Sequence, residues 1–191
     1  MRLKGKTAII TGGAQGFGGG MAAKFVAEGA QVMLADLNAH KAQETATDLG
    51  AAATAHHTDV TDAASVADMI STAQGLWGKI DILINNAGVT HLPAALEDVT
   101  EEDFDRVVAV NMKAVYLTTR AILPLMKAQQ SGVILNIAST AGVSPRPRLN
   151  WYNASKGWLI TATKAMAVEL APEGIRVNAL NPVAGETPLL A

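Results

Sequence analysis

Short apolar runs alternate with longer, helically spaced stretches along the whole chain. The runs are Thr7–Thr11, Gln31–Ala35, Ala53–His57, Ile80–Asn85, Gly132–Ile137 and Ile175–Leu180. Each is short and mostly apolar, which predicts strands buried on both faces. Between them Gly18–Glu28, Ala39–Leu49, Ala63–Leu76, Glu101–Gln129 and Trp151–Ala171 read as helices. Asn38 and Asp62 stand where N-caps belong, and Thr100 followed by Asp103 has capping-box spacing. Strand–helix alternation with short connections predicts an α/β fold, a Rossmann-type doubly wound parallel sheet with helices on both faces. Ligands of such a sheet bind beyond the carboxyl ends of the strands, where the strand order reverses. The residues that follow each run are therefore where chemistry is expected.

Composition narrows the picture. At about 150 residues per domain, 191 residues are expected to form one domain, 1–191. Disorder is excluded by 49% hydrophobic and only 17% charged residues. The absence of Cys excludes a disulfide scaffold, a Cys-based zinc site and a thiol nucleophile. A net charge of −2 offers nothing to neutralise phosphates, so nucleic acid is not an expected partner. Thr7–Ala23 is uncharged but carries six Gly, so it is not read as a membrane span. Arg2, Lys4 and Lys6 precede only Ala8-Ile9-Ile10 before polar Thr11, too short a run for an export signal. The expectation is a cytoplasmic protein.

After the first run comes Thr11-Gly12-Gly13-Ala14-Gln15-Gly16-Phe17-Gly18. Glycine permits positive φ and close approach of backbone to a ligand. A helix that opens there turns its free N–H groups and positive dipole end toward a pyrophosphate. This turn follows a strand and opens a helix within a βαβ unit, so dinucleotide binding is preferred to an ordinary tight turn. Asp36 ends the second run, where its carboxylate can accept both ribose hydroxyls and repel a 2′-phosphate. Gln15 and Leu37 flank it, and neither is basic. NAD(H) is therefore expected over NADP(H); the plainer alternative is a solvated strand-end Asp.

With these residues in view, the sequence resembles the short-chain dehydrogenase/reductase family. The family's Thr-Gly-x-x-x-Gly-x-Gly is met by Thr11, Gly12, Gly16 and Gly18, and its acidic residue by Asp36. Asp59-Val60, Asn85-Asn86-Ala87-Gly88, Asn111, Ser139 and Tyr152-Asn153-Ala154-Ser155-Lys156 follow in the family's order over the whole chain. The resemblance implies that Gly12, Gln15, Gly16, Phe17, Gly18, Asp36, Leu37, Asp59, Val60, Asn86, Ala87, Gly88, Tyr152, Lys156, Pro182, Val183 and Thr187 hold NAD. It implies that Asn111, Ser139, Tyr152 and Lys156 carry out catalysis on an alcohol or ketone. No metal is implied.

Physical chemistry supports that reading of Tyr152 and Lys156. Four residues turn a helix through about 400°, so both side chains share a face. A free tyrosine is a poor base at neutral pH, and an adjacent ammonium favours the phenolate. Tyr152 can then exchange the hydroxyl proton while a hydride moves to or from nicotinamide. The alternative is a core Tyr with a snorkelling Lys. The Ser139 hydroxyl can hold the substrate oxygen as charge develops, with a capping hydroxyl as the alternative and Thr140 as a rival. For Asn111 the resemblance implies a backbone-bound water relaying protons to Lys156; the alternative is a polar residue satisfied against a neighbouring helix.

Other residues invite weaker readings. His56 and His57 are adjacent on a strand and face opposite ways, so they cannot share a metal there. His40 belongs to a surface-like helix, and His91 is a candidate lining of the substrate pocket. Arg146 and Arg148, in the loop before Tyr152, either contact a substrate or are solvated.

Two departures from the family stand out. The family's Pro-Gly after the last strand is Asn181-Pro182-Val183-Ala184-Gly185 here, with Thr187 at the place of a cofactor-contacting Thr. Members also continue into a substrate lid, a helix and a seventh strand, so the expected domain is C-terminally incomplete at Ala191. Two alternatives to an alcohol/ketone oxidoreductase remain: a 3-oxoacyl-carrier-protein reductase, and a dinucleotide-binding module without turnover. Lys127-Ala128-Gln129-Gln130 and Ala171-Pro172-Glu173 are thin in the positive charge that carrier docking uses. Phe104, Val107, Val108, Val115, Leu117, Trp158, Leu159 and Met166 exceed what one buried stripe needs. Together with the resemblance they predict a homodimer or homotetramer through the fourth and fifth helical stretches.

Overall fold

The computed structural model describes residues 1–183. Among these residues six strands form one sheet: β1 (Thr7–Thr11), β2 (Gln31–Asp36), β3 (Ala53–His57), β4 (Ile82–Asn85), β5 (Gly132–Ile137) and β6 (Ile175–Leu180). Their order is β3-β2-β1-β4-β5-β6, and all pairings are parallel. The chain steps outward from β1 to β3, then returns to the other side of β1 as β4. That reversal opens a crevice between the carboxyl ends of β1 and β4.

The helices are α1 (Gly16–Ala27), α2 (Ala39–Leu49), α3 (Ala63–Trp77), α4 (Glu101–Val108), α5 (Ala114–Gln129) and α6 (Asn150–Leu170). One core layer packs Ala22 of α1 and Ala42 and Ala46 of α2 on Ala8, Ile10, Val32 and Leu34. The other packs Val66, Met69 and Ala73 of α3, Ile122 and Met126 of α5, and Leu170 of α6 on Ile9, Met33, Leu83 and Ile134. Alternate residues of each central strand thus feed opposite layers, as the pleat requires. Asn38 accepts from Lys41 N, Asp62 from Ala64 N and Ser65 N, and Thr100 from Asp103 N. Asp103 does not complete a box; its carboxylate pairs with Arg106.

Three expectations need correction. The outer strands are not buried on both faces. β3 is an edge strand with Thr54 and His57 exposed, and β6 alternates, with Arg176, Asn178 and Leu180 exposed. The helical stretch expected over Glu101–Gln129 contains a π-turn at Ala109–Lys113 that separates α4 from α5. The supposed surplus of apolar residues is smaller than the sequence suggests: Val107, Val115, Leu117 and Leu159 are buried in this chain's own core. Phe104 meets Trp151 edge to face at 5.1 Å, and both remain exposed, as do Tyr116, Trp158 and Val168.

Candidate active site

Thr11 closes β1 at the crevice. Its hydroxyl donates to Ile84 O at 3.3 Å and accepts from Asn86 N at 3.0 Å and Ala87 N at 3.1 Å. The Asn86 amide returns the tie, donating to Thr11 O and Gly12 O, both at 2.9 Å. The glycine turn is thereby stapled to the segment after β4. A Cβ on Gly18 would lie 2.0 Å from Gly12 O, so only glycine lets α1 begin against the turn. The helix opens at Gly16, two residues before the expected start, and its N-cap Gln15 makes no side-chain cap bond. The first-turn N–H groups are left without a capping side chain, at the place a phosphate would take. Gln15 and Phe17 stand exposed beside them.

Asp36 lies level with this turn. Its Oδ2 accepts from Ala14 N and its Oδ1 from Asn38 N, each at 3.0 Å. These bonds aim the carboxylate, and each oxygen keeps a lone pair for a ribose hydroxyl. Leu37 beside it is exposed. Farther along the same sheet end, the hydroxyl and N–H of Thr61 hold the Asp59 carboxyl below the usual carboxylate range. Val60 is buried.

The second half of the site is built on β5 and α6. Ser139 opens a 3-10 turn, Thr140–Gly142, and its Oγ accepts from Ala141 N at 3.1 Å. That bond uses a lone pair and leaves the hydroxyl proton to donate. Thr140, the rival, directs its hydroxyl to Pro182 O at 3.3 Å and its N–H to the same atom at 3.0 Å. The turn lies directly on α6: a Cβ on Gly142 would be 2.6 Å from Lys156 C. Lys156 does not snorkel. It is 5% exposed, with Nζ donating to Ile137 O at 2.9 Å and standing 5.7 Å from the Tyr152 ring centroid. Burial draws the Lys156 ammonium down to about 8, so it stays mostly charged at neutral pH. Gly88 lies against the lysine; a Cβ there would stand 3.4 Å from Lys156 Nζ, an ordinary contact.

Asn111 sits in the π-turn, 1% exposed. Its Oδ1 accepts from Val89 N, and its Nδ2 donates to Val89 O, both at 2.9 Å. Nδ2 also reaches Ser155 Oγ at 3.0 Å, and Ser155 donates to Tyr152 O at 2.7 Å. The side chain thus clasps the segment after β4 to the helix that carries Tyr152 and Lys156. A π-turn withdraws backbone groups from the regular ladder, a distortion common at functional sites. Pro182 and Val183 end the described chain beside Thr140; the expectation for Thr187 lies outside the described residues.

A buried polar chain beneath the site was missed in the sequence reading. Thr118 donates to Asn85 Oδ1 at 2.7 Å, Asn85 to Asn136 Oδ1 at 2.9 Å, and Asn136 to Thr163 Oγ1 at 2.8 Å. It locks α5, β4, β5 and α6 into one register. Its signal was an Asn near the end of each of two apolar runs, which are cross-strand partners. His91 lines no open pocket: it is 1% exposed, with Nδ1 2.8 Å from Leu92 O. His56 reaches Asp68 at 3.3 Å, away from the site.

A reversed-order parallel sheet with a stapled glycine turn on one side and a Ser-Tyr-Lys set on the other is the architecture of a dinucleotide-dependent oxidoreductase. The family model described as short chain dehydrogenase matches residues 6–191, and the chain belongs to that family. A 4-formylbenzenesulfonate dehydrogenase of Comamonas testosteroni is 45% identical over 199 residues, covering 100% of this chain and 77% of the relative. A 3-ketoacyl-(acyl-carrier-protein) reductase from Brucella melitensis, solved in complex with NADH, has a TM-score of 0.97 at 50% identity. That match covers 98% of this chain and 79% of the other. An NAD⁺-bound xylitol dehydrogenase has a TM-score of 0.93 at 32% identity, covering 96% and 72%.

Proposed function

We propose that the chain is an NAD(H)-dependent oxidoreductase that moves a hydride between nicotinamide and an alcohol or ketone carbon. Tyr152 exchanges the hydroxyl proton, Ser139 holds the substrate oxygen, and Lys156 holds a positive charge beside the phenol. Asn111 fixes the helix that carries Tyr152 and Lys156. The observation that carries this reading is the buried Lys156 ammonium, 5.7 Å from the Tyr152 ring and bound to the carbonyl that precedes Ala138-Ser139. Removing such a charge from water is costly, and a positive charge held beside a phenol favours its phenolate. When bound, NADH would supply the hydride to a ketone and NAD⁺ would accept it from an alcohol. The glycine turn and Asp36 are the residues that would hold its pyrophosphate and adenosine ribose.

The direct test is a panel of ketones and aldehydes with NADH and NADPH, followed by nicotinamide absorbance. NADH-linked reduction is expected; cofactor binding without any turnover would favour a binding module. A carrier-linked 3-oxoacyl substrate has the Brucella relative in its favour. Against it, Lys127, the cation of the expected docking region, is already paired with Glu173 at 3.1 Å. We assign a homo-oligomer, supported by the exposed Tyr116, Trp158 and Val168 on α5 and α6. We also assign a cytoplasmic location, supported by the need to recycle NAD(H). Among the described residues no helix is long and apolar enough to cross a membrane.

A further inference from the structure

Arg146 and Arg148 are left unused by the reaction just described. They stand in Ser144–Asn150, a loop with two guanidinium groups and no carboxylate. Three neighbours brace it. Asn153, buried on α6 beside Tyr152, donates to Arg146 O at 2.7 Å. Ala94, in the segment after β4, donates to Arg148 O at 3.0 Å. The Arg146 guanidinium donates to Val183 O at 3.0 Å, beyond β6. The loop therefore bridges the segments that surround Ser139 and Tyr152. Both arginines are exposed, and neither has an ion pair among the described residues.

Arg148 adds an independent observation. Its φ is 65°, the left-handed region that favours glycine. Glycine would meet the backbone requirement with less strain, so the cationic side chain is what this position gains.

We infer that Arg146 and Arg148 form an anion-recognising rim on the substrate side of the cleft. The substrate is then a carbonyl or alcohol that carries an oxyanion, carboxylate or sulfonate, at the end away from the reacting carbon. Guanidinium suits both, since its fork of N–H donors pairs with two oxygens at once. This rests on the function proposed above and names its substrate class.

The test compares 4-formylbenzoate and 4-formylbenzenesulfonate with neutral 4-formylbenzamide, each with NADH. One or both anionic aldehydes should exceed the amide in kcat/KM by about tenfold, the lower end of a charge-assisted hydrogen bond. The better anion identifies the headgroup. Arg148→Gly and Arg146→Gln should collapse that ratio, mainly through KM, and added salt should narrow it. Arg148→Gly relieves the backbone, so it should melt no lower than the parent, which separates lost recognition from lost folding. Calorimetric titration of the NADH complex with 4-(hydroxymethyl)benzoate and 4-(hydroxymethyl)benzamide reads recognition without turnover. Equal binding of the two, or an unchanged ratio in Arg148→Gly, overturns the rim; reduction of the neutral aldehyde would leave the proposed function standing. Selective binding of the acid with no aldehyde reduced would support the rim and count against the function.

Discussion

Replacing Lys156 by methionine should abolish turnover and yet give a more stable protein at neutral pH. Burial draws the Lys156 ammonium from 10.5 down to about 8. Each unit corresponds to about 1.4 kcal/mol, so keeping this group charged inside the fold costs about 3 kcal/mol at neutral pH. Methionine removes that cost, but Ile137 O loses its donor and the Tyr152 ring its cation, together about 1–2 kcal/mol. The variant should therefore gain about 1–2 kcal/mol at pH 7. The sign reverses with pH. The folded value lies below the unfolded one, so between about pH 8 and 10.5 the unfolded parent binds the extra proton. The contribution of this group to parental stability rises with pH through that window. The advantage of the variant should shrink accordingly and vanish at about pH 9. Urea unfolding of both proteins at the two pH values, with linear extrapolation, measures this. A variant weaker than the parent at pH 7, or a difference that does not move with pH, would refute the reasoning.

Three further outcomes follow from the cofactor half. Gly20 has open space around a Cβ, so Gly20→Ala should stabilise α1 by about 1 kcal/mol and raise Tm by about 2–4 °C. Gly18→Ala, two residues earlier, should instead lower Tm and NADH affinity together, because its Cβ would meet Gly12 O; paired melting curves and titrations read both. Asp36→Ala should narrow the preference for NADH over NADPH by about tenfold or more, since the carboxylate no longer opposes a 2′-phosphate. Parental protein that binds NADPH as well as NADH in calorimetry would contradict that role.

The sheet was readable because central parallel strands leave a blunt signal. Thr7–Thr11 and Ile82–Asn85 are apolar without alternation, and both lie fully buried. The edge was harder to read: Ala53–His57 is similar in outline, but only the third dimension shows that, among the described residues, no strand lies beyond β3. The π-turn at Ala109–Lys113 was hidden because helical spacing runs through it from α4 into α5. One extra residue in a turn shifts the apolar stripe too little to break the pattern. Within the site, single residues with a fixed chemical use could be named from order and type, as with Asp36, Ser139 and Tyr152. The ties that residues make between distant segments were less legible. Asn86 reads as part of a cofactor motif, yet in the fold its amide holds the glycine turn. Asn111 reads either as a backbone participant or as a polar residue satisfied against a neighbouring helix; its side chain does reach Ser155 of α6, and it also clasps Val89, which the sequence does not suggest. Hydrogen bonds across 22 or 44 positions depend on packing that no local pattern encodes.

The central claim is that Tyr152 exchanges the substrate proton while NAD(H) exchanges the hydride. Its most direct test is Tyr152→Phe, assayed beside the parent with NADH and any carbonyl compound the parent reduces. The phenol is half-buried, and no hydrogen bond from its oxygen supports the fold among the described residues. Melting temperature and NADH affinity should therefore stay close to the parent's. Turnover should fall by about 10²–10⁴-fold, the range for losing a positioned proton donor. Turnover near the parent's in a folded, NADH-binding Tyr152→Phe protein would contradict the account.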